Sequence, residues 1–261
     1  MLHALIKKNG TVFTSLLKII TLGGFIAFTG IAFAEPLRLA VASNFTSPIQ
    51  KLAPIFEQET GHKIQLSFGS SGKFFAQIQH GAPFDVFLSA DQAKPDKLIE
   101  KGLALESSQI IYAKGALALW SASLKSVEPI DKTLLEARKI AIANPKLAPY
   151  GKAAKETLTK LALWSKLKGK LVQGENIGQT YQFTYSKNAD VGFVALSQVL
   201  AGDVKGHYWK VPNSYHSAIK QSAVVLSSSH QKEVANAFLA FLMRADIQQK
   251  IASFGYQTTP Q

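Results

Sequence analysis

The sequence predicts an α/β fold built as two lobes around a crevice. Three observations carry that prediction. Apolar runs of strand length alternate with longer amphipathic runs through much of the chain, the order that builds α/β sheets. One local device occurs twice: Leu37-Arg38-Leu39-Ala40-Val41-Ala42 runs into Ser43-Asn44-Phe45-Thr46-Ser47-Pro48, and Ile64-Gln65-Leu66-Ser67-Phe68-Gly69 runs into Ser70-Ser71-Gly72-Lys73. In both, a strand ends in a hydroxyl-bearing turn that opens a helix. Finally, the pattern changes character near residue 113, and the apolar strand over 218–227 returns the chain to the first lobe. The lobes are therefore expected at 35–112 plus 222–261 and at 113–221.

The first helix is read from Ile49, Leu52, Ala53 and Phe56, which follow the i, i+3, i+4, i+7 rule and stop at Gly61. Phe74, Phe75 and Ile78 line a second helix ending at Gly81, and 85–90 is a third strand. A short helix over 95–101 stops at Gly102. Residues 110–113 and 116–120 read as strands flanking Lys114-Gly115, and 140–143 as a strand ending in Asn144-Pro145. Ala148-Pro149-Tyr150-Gly151 opens a helix whose expected apolar face is Ala154, Leu158, Leu161 and Ala162. A helix starts near Gly178, and 190–195 and 218–227 are strands. The last helix is expected to carry Val234, Ala237, Phe238, Phe241 and Leu242.

The repeated turn matters because a helix N-terminus leaves up to four backbone N–H groups unpaired and carries about half a positive charge. A hydroxyl beside those donors completes a socket for an oxyanion. Two sockets at the carboxyl ends of neighbouring strands face one crevice, where open α/β sheets bind ligands. Taken singly, Ser43 or Ser71 reads as an ordinary N-cap. The pair, with glycine on either side of the second serine pair, points to a site.

Residues 1–34 read as a secretory signal peptide. Lys7, Lys8 and Lys18 precede a mostly apolar stretch over 19–31, and Ala32-Phe33-Ala34 is a small-x-small cleavage site. The uninterrupted apolar run is shorter than the roughly twenty residues a membrane span needs. Cleavage after Ala34 leaves 227 of the 261 residues and lowers the net charge from +12 to +9. The chain has no cysteine, which excludes disulfides, thiolate metal sites and cysteine nucleophiles. Its basic residues are nearly all lysines scattered along helix faces, unlike the clustered arginines of a nucleic-acid reader. A diffuse positive field of this kind steers anions.

At this point a family resemblance becomes visible. Arg38 to Ser43, Phe68-Gly69-Ser70-Ser71-Gly72, the run Gly81-Ala82-Pro83-Phe84-Asp85-Val86-Phe87-Leu88-Ser89-Ala90-Asp91, and Gly192-Phe193-Val194-Ala195-Leu196-Ser197 resemble the periplasmic molybdate-binding proteins. The resemblance covers essentially all of the chain after the signal segment. It implies a type II periplasmic-binding-protein fold that closes on a tetrahedral oxyanion, molybdate or tungstate. It also implies a soluble periplasmic monomer that delivers its ligand to the membrane permease of an ABC importer. No cofactor, no metal cation site and no catalytic residue are expected. The implied ligands are the Ser43 and Ser71 hydroxyls, a backbone or side-chain donor of Asn44, and the backbone N–H groups of Tyr150 and Ile177. Many members carry a tyrosine where this chain has Ala195. Tyr150 is expected to supply that hydroxyl as well as its amide, and Lys73 is the nearest cation in sequence.

Other readings can be weighed on the same residues. Ferric-ion receptors of this fold use paired tyrosines, and Tyr181 and Tyr185 lie one helical turn apart, although no histidine or carboxylate clusters with them. Sulfate is a further ligand class of the fold. A serine hydrolase acting through Ser71 would need a Gly-x-Ser-x-Gly elbow, which the chain lacks. It would also need a triad base, and none of His62, His80, His207, His216 and His230 sits in a recognisable triad context.

Overall fold

A computed structural model describes residues 35–258 of the chain. The signal segment and its cleavage site lie outside the described residues. The first strand, β1 (Leu37–Ala42), leads through a 3-10 turn (Ser43–Phe45) into α1 (Thr46–Thr60). Then follow β2 (Ile64–Gly69), α2 (Ser71–Gln79), β3 (Val86–Ser89), α3 (Ala93–Glu100) and β4 (Ile110–Gly115). A second series comprises β5 (Leu117–Ser121), α4 (Ile130–Glu136), β6 (Ile140–Ala143), α5 (Pro149–Lys160), α6 (Trp164–Leu167), β7 (Leu171–Gly174), α7 (Ile177–Tyr185), β8 (Val191–Ala195), α8 (Leu196–Ala201) and β9 (His207–Lys210). The chain closes with β10 (Ile219–Val225), α9 (Lys232–Met243) and α10 (Ala245–Ser253).

The strands form two five-stranded sheets of matching plan, ordered β2-β1-β3-β10-β4 and β7-β6-β8-β5-β9. In the first, β1 runs parallel to β2 and β3, and β10 is antiparallel to β3 and β4. In the second, β6 runs parallel to β7 and β8, and β5 is antiparallel to β8 and β9. The chain leaves the first sheet at Gly115 and re-enters it at Ile219. Successive strand side chains alternate between faces. Leu37, Leu39 and Val41 of β1 thus pack with Phe45, Ile49, Leu52 and Phe56 and with Phe238 and Leu242 of α9. Ala40 faces the opposite layer, with Phe74 and Ile78 of α2 and Leu98 of α3. These alternating layers hold the carboxyl ends of β1 and β2 side by side, with Ala42 opposite Gly69.

Some local expectations are corrected. Gly61 does end α1 in the left-handed conformation, with φ 75°, but α5 stops at Lys160. Ala162, expected on its apolar face, is exposed at φ 56° beyond the helix. Ala237 is exposed on α9, and Ala235 takes the buried place. The helix over 232–243 is followed by another, α10, which buries Ile247 and Ile251. The edge strands β7 and β9 had no periodic signal: Leu171-Val172-Gln173-Gly174 is short, and His207-Tyr208-Trp209-Lys210 is mostly exposed.

The folded arrangement also sorts the charge. Residues 113–221 carry sixteen Lys and Arg against seven Asp and Glu. The rest of 35–261 carries ten of each, so the +9 lies within 113–221, with Lys114 and Lys220 of that stretch standing on β4 and β10 of the first sheet and the others around the second.

Candidate functional site

Ser43 stands at the carboxyl end of β1, in the 3-10 turn, and is nearly buried at 7 % exposure. Its Oγ donates to the Gly69 carbonyl at 3.0 Å, joining the ends of β1 and β2. The helix cap of α2 is Ser70, whose Oγ accepts from the Lys73 amide at 3.3 Å. Ser71 is therefore not the cap. It is fully buried, and its Oγ accepts from the Ala90 amide at 3.0 Å. A hydroxyl that accepts one bond keeps its own hydrogen to donate.

Tyr150 and Ile177 come from the second sheet's helices. Tyr150 follows Pro149 at the first position of α5, the place where a missing N–H costs nothing. Its amide and that of Ile177, the first residue of α7, are first-turn groups that a helix ladder leaves unpaired. Asn176 caps α7 by accepting from the Gln179 amide at 3.0 Å. Leu117, Ile142, Tyr150 and Ile177 belong to one buried cluster with Ala42 and Ala90 of the first sheet's side, so the ends of the two sheets meet.

Several contacts register this meeting. The Gly72 amide donates to the Leu147 carbonyl at 2.8 Å. A Cβ at Gly72 would stand 2.8 Å from the Leu147 backbone, so only glycine fits there. A Cβ at Gly178 would lie 3.4 Å from that of Ser43, which places the start of α7 against the Ser43 turn. The Ser197 hydroxyl donates to the Asn44 carbonyl at 2.9 Å. At the surface, the Lys73 ammonium pairs with Glu175 at 2.6 Å, so Lys73 has an acidic partner from the opposite side.

Two of the expected donors have particular surroundings. Both amide hydrogens of Asn44 are engaged, by Gln221 Oε1 at 2.8 Å and Tyr256 Oη at 2.9 Å. Of its two donor groups, the main-chain N–H is thus the one left for a ligand. The Tyr150 hydroxyl is buried against Tyr256 and the Asn44 side chain, with no well-formed hydrogen bond among the described residues. A Cβ on Gly115 would fall 2.0 Å from it, so the bare Gly115 backbone makes room for this ring. Burial, with Tyr256 and Tyr112 close by, drives the Tyr150 pKa well above the usual tyrosine value. The group stays protonated and remains a donor.

The tyrosine pair of the ferric-ion reading is aromatic packing. Tyr181 stacks on Trp120 at 4.9 Å and 7°, and Tyr185 lies against it at 5.9 Å. Among the described residues no group of three His, Cys, Asp or Glu could hold a metal ion. The hydrolase reading finds Ser71 bonded to a main-chain amide. His80 and His216 bond main-chain carbonyls.

Sequence reasoning overlooked Gly115, Ser197, Gln221 and Tyr256. Only Gln221 carried a signal, as a polar residue inside an apolar strand. The other three gain their places from long-range packing.

Comparison with known proteins places this geometry in a family. Residues 37–257 match the model of the bacterial extracellular solute-binding proteins. The molybdate-binding protein ModA of Rhodobacter capsulatus is 45 % identical, over 87 % of this chain and 90 % of its own length. ModA of Azotobacter vinelandii is 42 % identical, over 86 % and 91 %. The solved periplasmic molybdate-binding protein of Azotobacter vinelandii superposes with a TM-score of 0.82 at 40 % identity, covering 86 % of this chain and all of that one. A mycobacterial sulfate-binding protein shares the fold at 13 % identity and a TM-score of 0.71. Kinship along nearly the whole described chain, on two sheets whose ends meet at paired serine turns, means that this chain belongs to the bacterial extracellular solute-binding proteins, in the group formed by these molybdate-binding relatives.

Proposed function

We propose that the protein captures molybdate, and tungstate with it, in the crevice between its sheets and delivers the anion to the membrane permease of an ABC importer. The observation that supports this reading is the donor character of the groups at the sheet ends that meet. The Ser43 and Ser71 hydroxyls, the Asn44, Tyr150 and Ile177 amides and the Tyr150 hydroxyl can all donate to one anion. Molybdate and tungstate near neutral pH are dianions with no proton. Hydrogen phosphate keeps a proton that such a site cannot accept, a loss of about 1–3 kcal/mol. The parts that close are 35–112 plus 222–261 on one side and 113–221 on the other. The protein acts as a monomer, without cofactor, metal cation or nucleic acid, and binds rather than transforms its ligand.

Titration calorimetry with molybdate, tungstate, sulfate and phosphate tests the reading. Molybdate and tungstate should bind tightly and phosphate weakly. Preference for phosphate, or silence with all four anions, refutes it. Export supplies a separate prediction: mass spectrometry of the periplasmic protein should find Glu35 at the N-terminus, and an intact Met1 there would count against cleavage. The one-sided charge supplies another. Because the surplus positive charge lies mostly around the second sheet, raising salt from low to physiological strength should slow stopped-flow molybdate association by about tenfold. Dissociation should hardly change.

A further inference from the structure

Asn44 sits at the centre of a buried polar cluster whose hydrogen-bond directions are forced. The Ile219 carbonyl can only accept, so Gln221 turns its Nε2 toward it at 3.2 Å. Gln221 Oε1 must then face Asn44 and accept from its Nδ2 at 2.8 Å. The other Nδ2 hydrogen goes to Tyr256 Oη at 2.9 Å. Having accepted that bond, Tyr256 donates its own hydrogen to the Asn44 carbonyl at 2.8 Å. Ser197 donates to the same carbonyl at 2.9 Å and touches Tyr256 Oη at 3.2 Å. Flipping either amide would set oxygen against oxygen.

Three distant elements therefore hold one residue. Gln221 lies in β10 at a register shift, the kind of irregularity that re-aims a side chain. Ser197 belongs to α8 of the second sheet's side. Tyr256 follows α10 and is pinned by paired main-chain bonds between Lys114 and Gln257, at 2.7 and 2.9 Å. Its ring packs edge-on against Phe45 at 5.5 Å.

We infer that Tyr256 is a positioning residue for the anion: it clamps the side chain and carbonyl of Asn44 so that the Asn44 main-chain N–H faces the crevice, and the Asn44 side chain is a brace and not a ligand. This rests on the molybdate reading above. It also means that the last residues of the described chain are part of the ligand site's support.

The test measures molybdate affinity of Tyr256→Phe, Asn44→Ala and the double variant beside the wild-type protein. Tyr256→Phe keeps the ring and removes the clamp, so affinity should fall roughly tenfold, the equivalent of one lost hydrogen bond. In the Asn44→Ala background the same change should cost clearly less, because the bond from the side chain is already gone and only the one to the main-chain carbonyl remains to lose. Tyr112→Phe is the control. Tyr112 is equally buried beside Phe45, but its hydroxyl has no partner among the described residues, so affinity should not move. Tyr256→Phe binding like wild type, or an equal loss with and without the Asn44 side chain, overturns the inference. Should Tyr256→Phe fail to fold, Ser197→Ala removes the other donor to the same carbonyl; a several-fold loss of affinity supports the inference, and binding like wild type overturns it. A wild-type protein that ignores molybdate would refute the proposed function instead, so the two failures are distinguishable.

Discussion

Ser71→Ala and Ser43→Ala should each weaken molybdate binding by about 1.5–3 kcal/mol, the range for a hydrogen bond to a charged group, which is tenfold or more in dissociation constant. Ser71 is the stronger case. Its Oγ already accepts from the Ala90 amide, so its hydrogen is free, and the accepted bond polarises it toward an anion. Ser43 must turn its hydrogen away from the Gly69 carbonyl to donate, so its loss should fall at the lower end. Ser70→Ala separates binding from folding. Ser70 is the cap of α2, and its removal should cost about 1 kcal/mol of stability while leaving affinity level. If calorimetry finds Ser71→Ala behaving like Ser70→Ala, with a lower Tm and an unchanged Kd, Ser71 is no ligand.

Tyr150→Phe should lower molybdate affinity by a similar amount, about 1.5–3 kcal/mol, with almost no change in Tm. The ring, its packing and the helix amide all remain. What disappears is a buried hydroxyl set against Tyr256 and Asn44 with no well-formed bond among the described residues, so folding has little there to lose. Such a group is costly to bury unless something accepts from it, and a dianion in the crevice is an acceptor. Ala195, at the end of β8, has no side-chain donor to fill that role. An unchanged dissociation constant in Tyr150→Phe would mean that the ring only packs under Gly115 and that the α5 amide alone serves the anion.

The parts legible in sequence share a physical cause. β1, β2 and the helices after them are encoded locally, by apolar alternation, by the 3.6-residue period and by glycines such as Gly61 that end helices in the left-handed region. The serine turns were readable because strand, hydroxyl and helix start are contiguous. Ser70 and Ser71 illustrate the limit. Both hydroxyls adjoin the helix start, and neighbouring positions in sequence do not say which one caps. The Ala90 amide, nineteen residues away in chain, takes Ser71 out of the capping role. The weak strands β7 and β9 were missed because an edge strand gains its place from a neighbour's open hydrogen bonds and not from its own pattern.

By itself, then, the sequence determined the α/β class, the two serine turns, the family likeness and the positive charge. These follow from local periodicity, residue chemistry and simple counting. Only the tertiary structure decided that most of the surplus charge gathers around the second sheet and that Lys73 meets Glu175. It alone showed that Gly115 yields space to Tyr150 and that Gln221, Ser197 and Tyr256 converge on Asn44. Those partners are separated by up to 212 residues. Contacts at such range are fixed when whole sheets pack, since each buried donor must find an acceptor wherever the fold brings one.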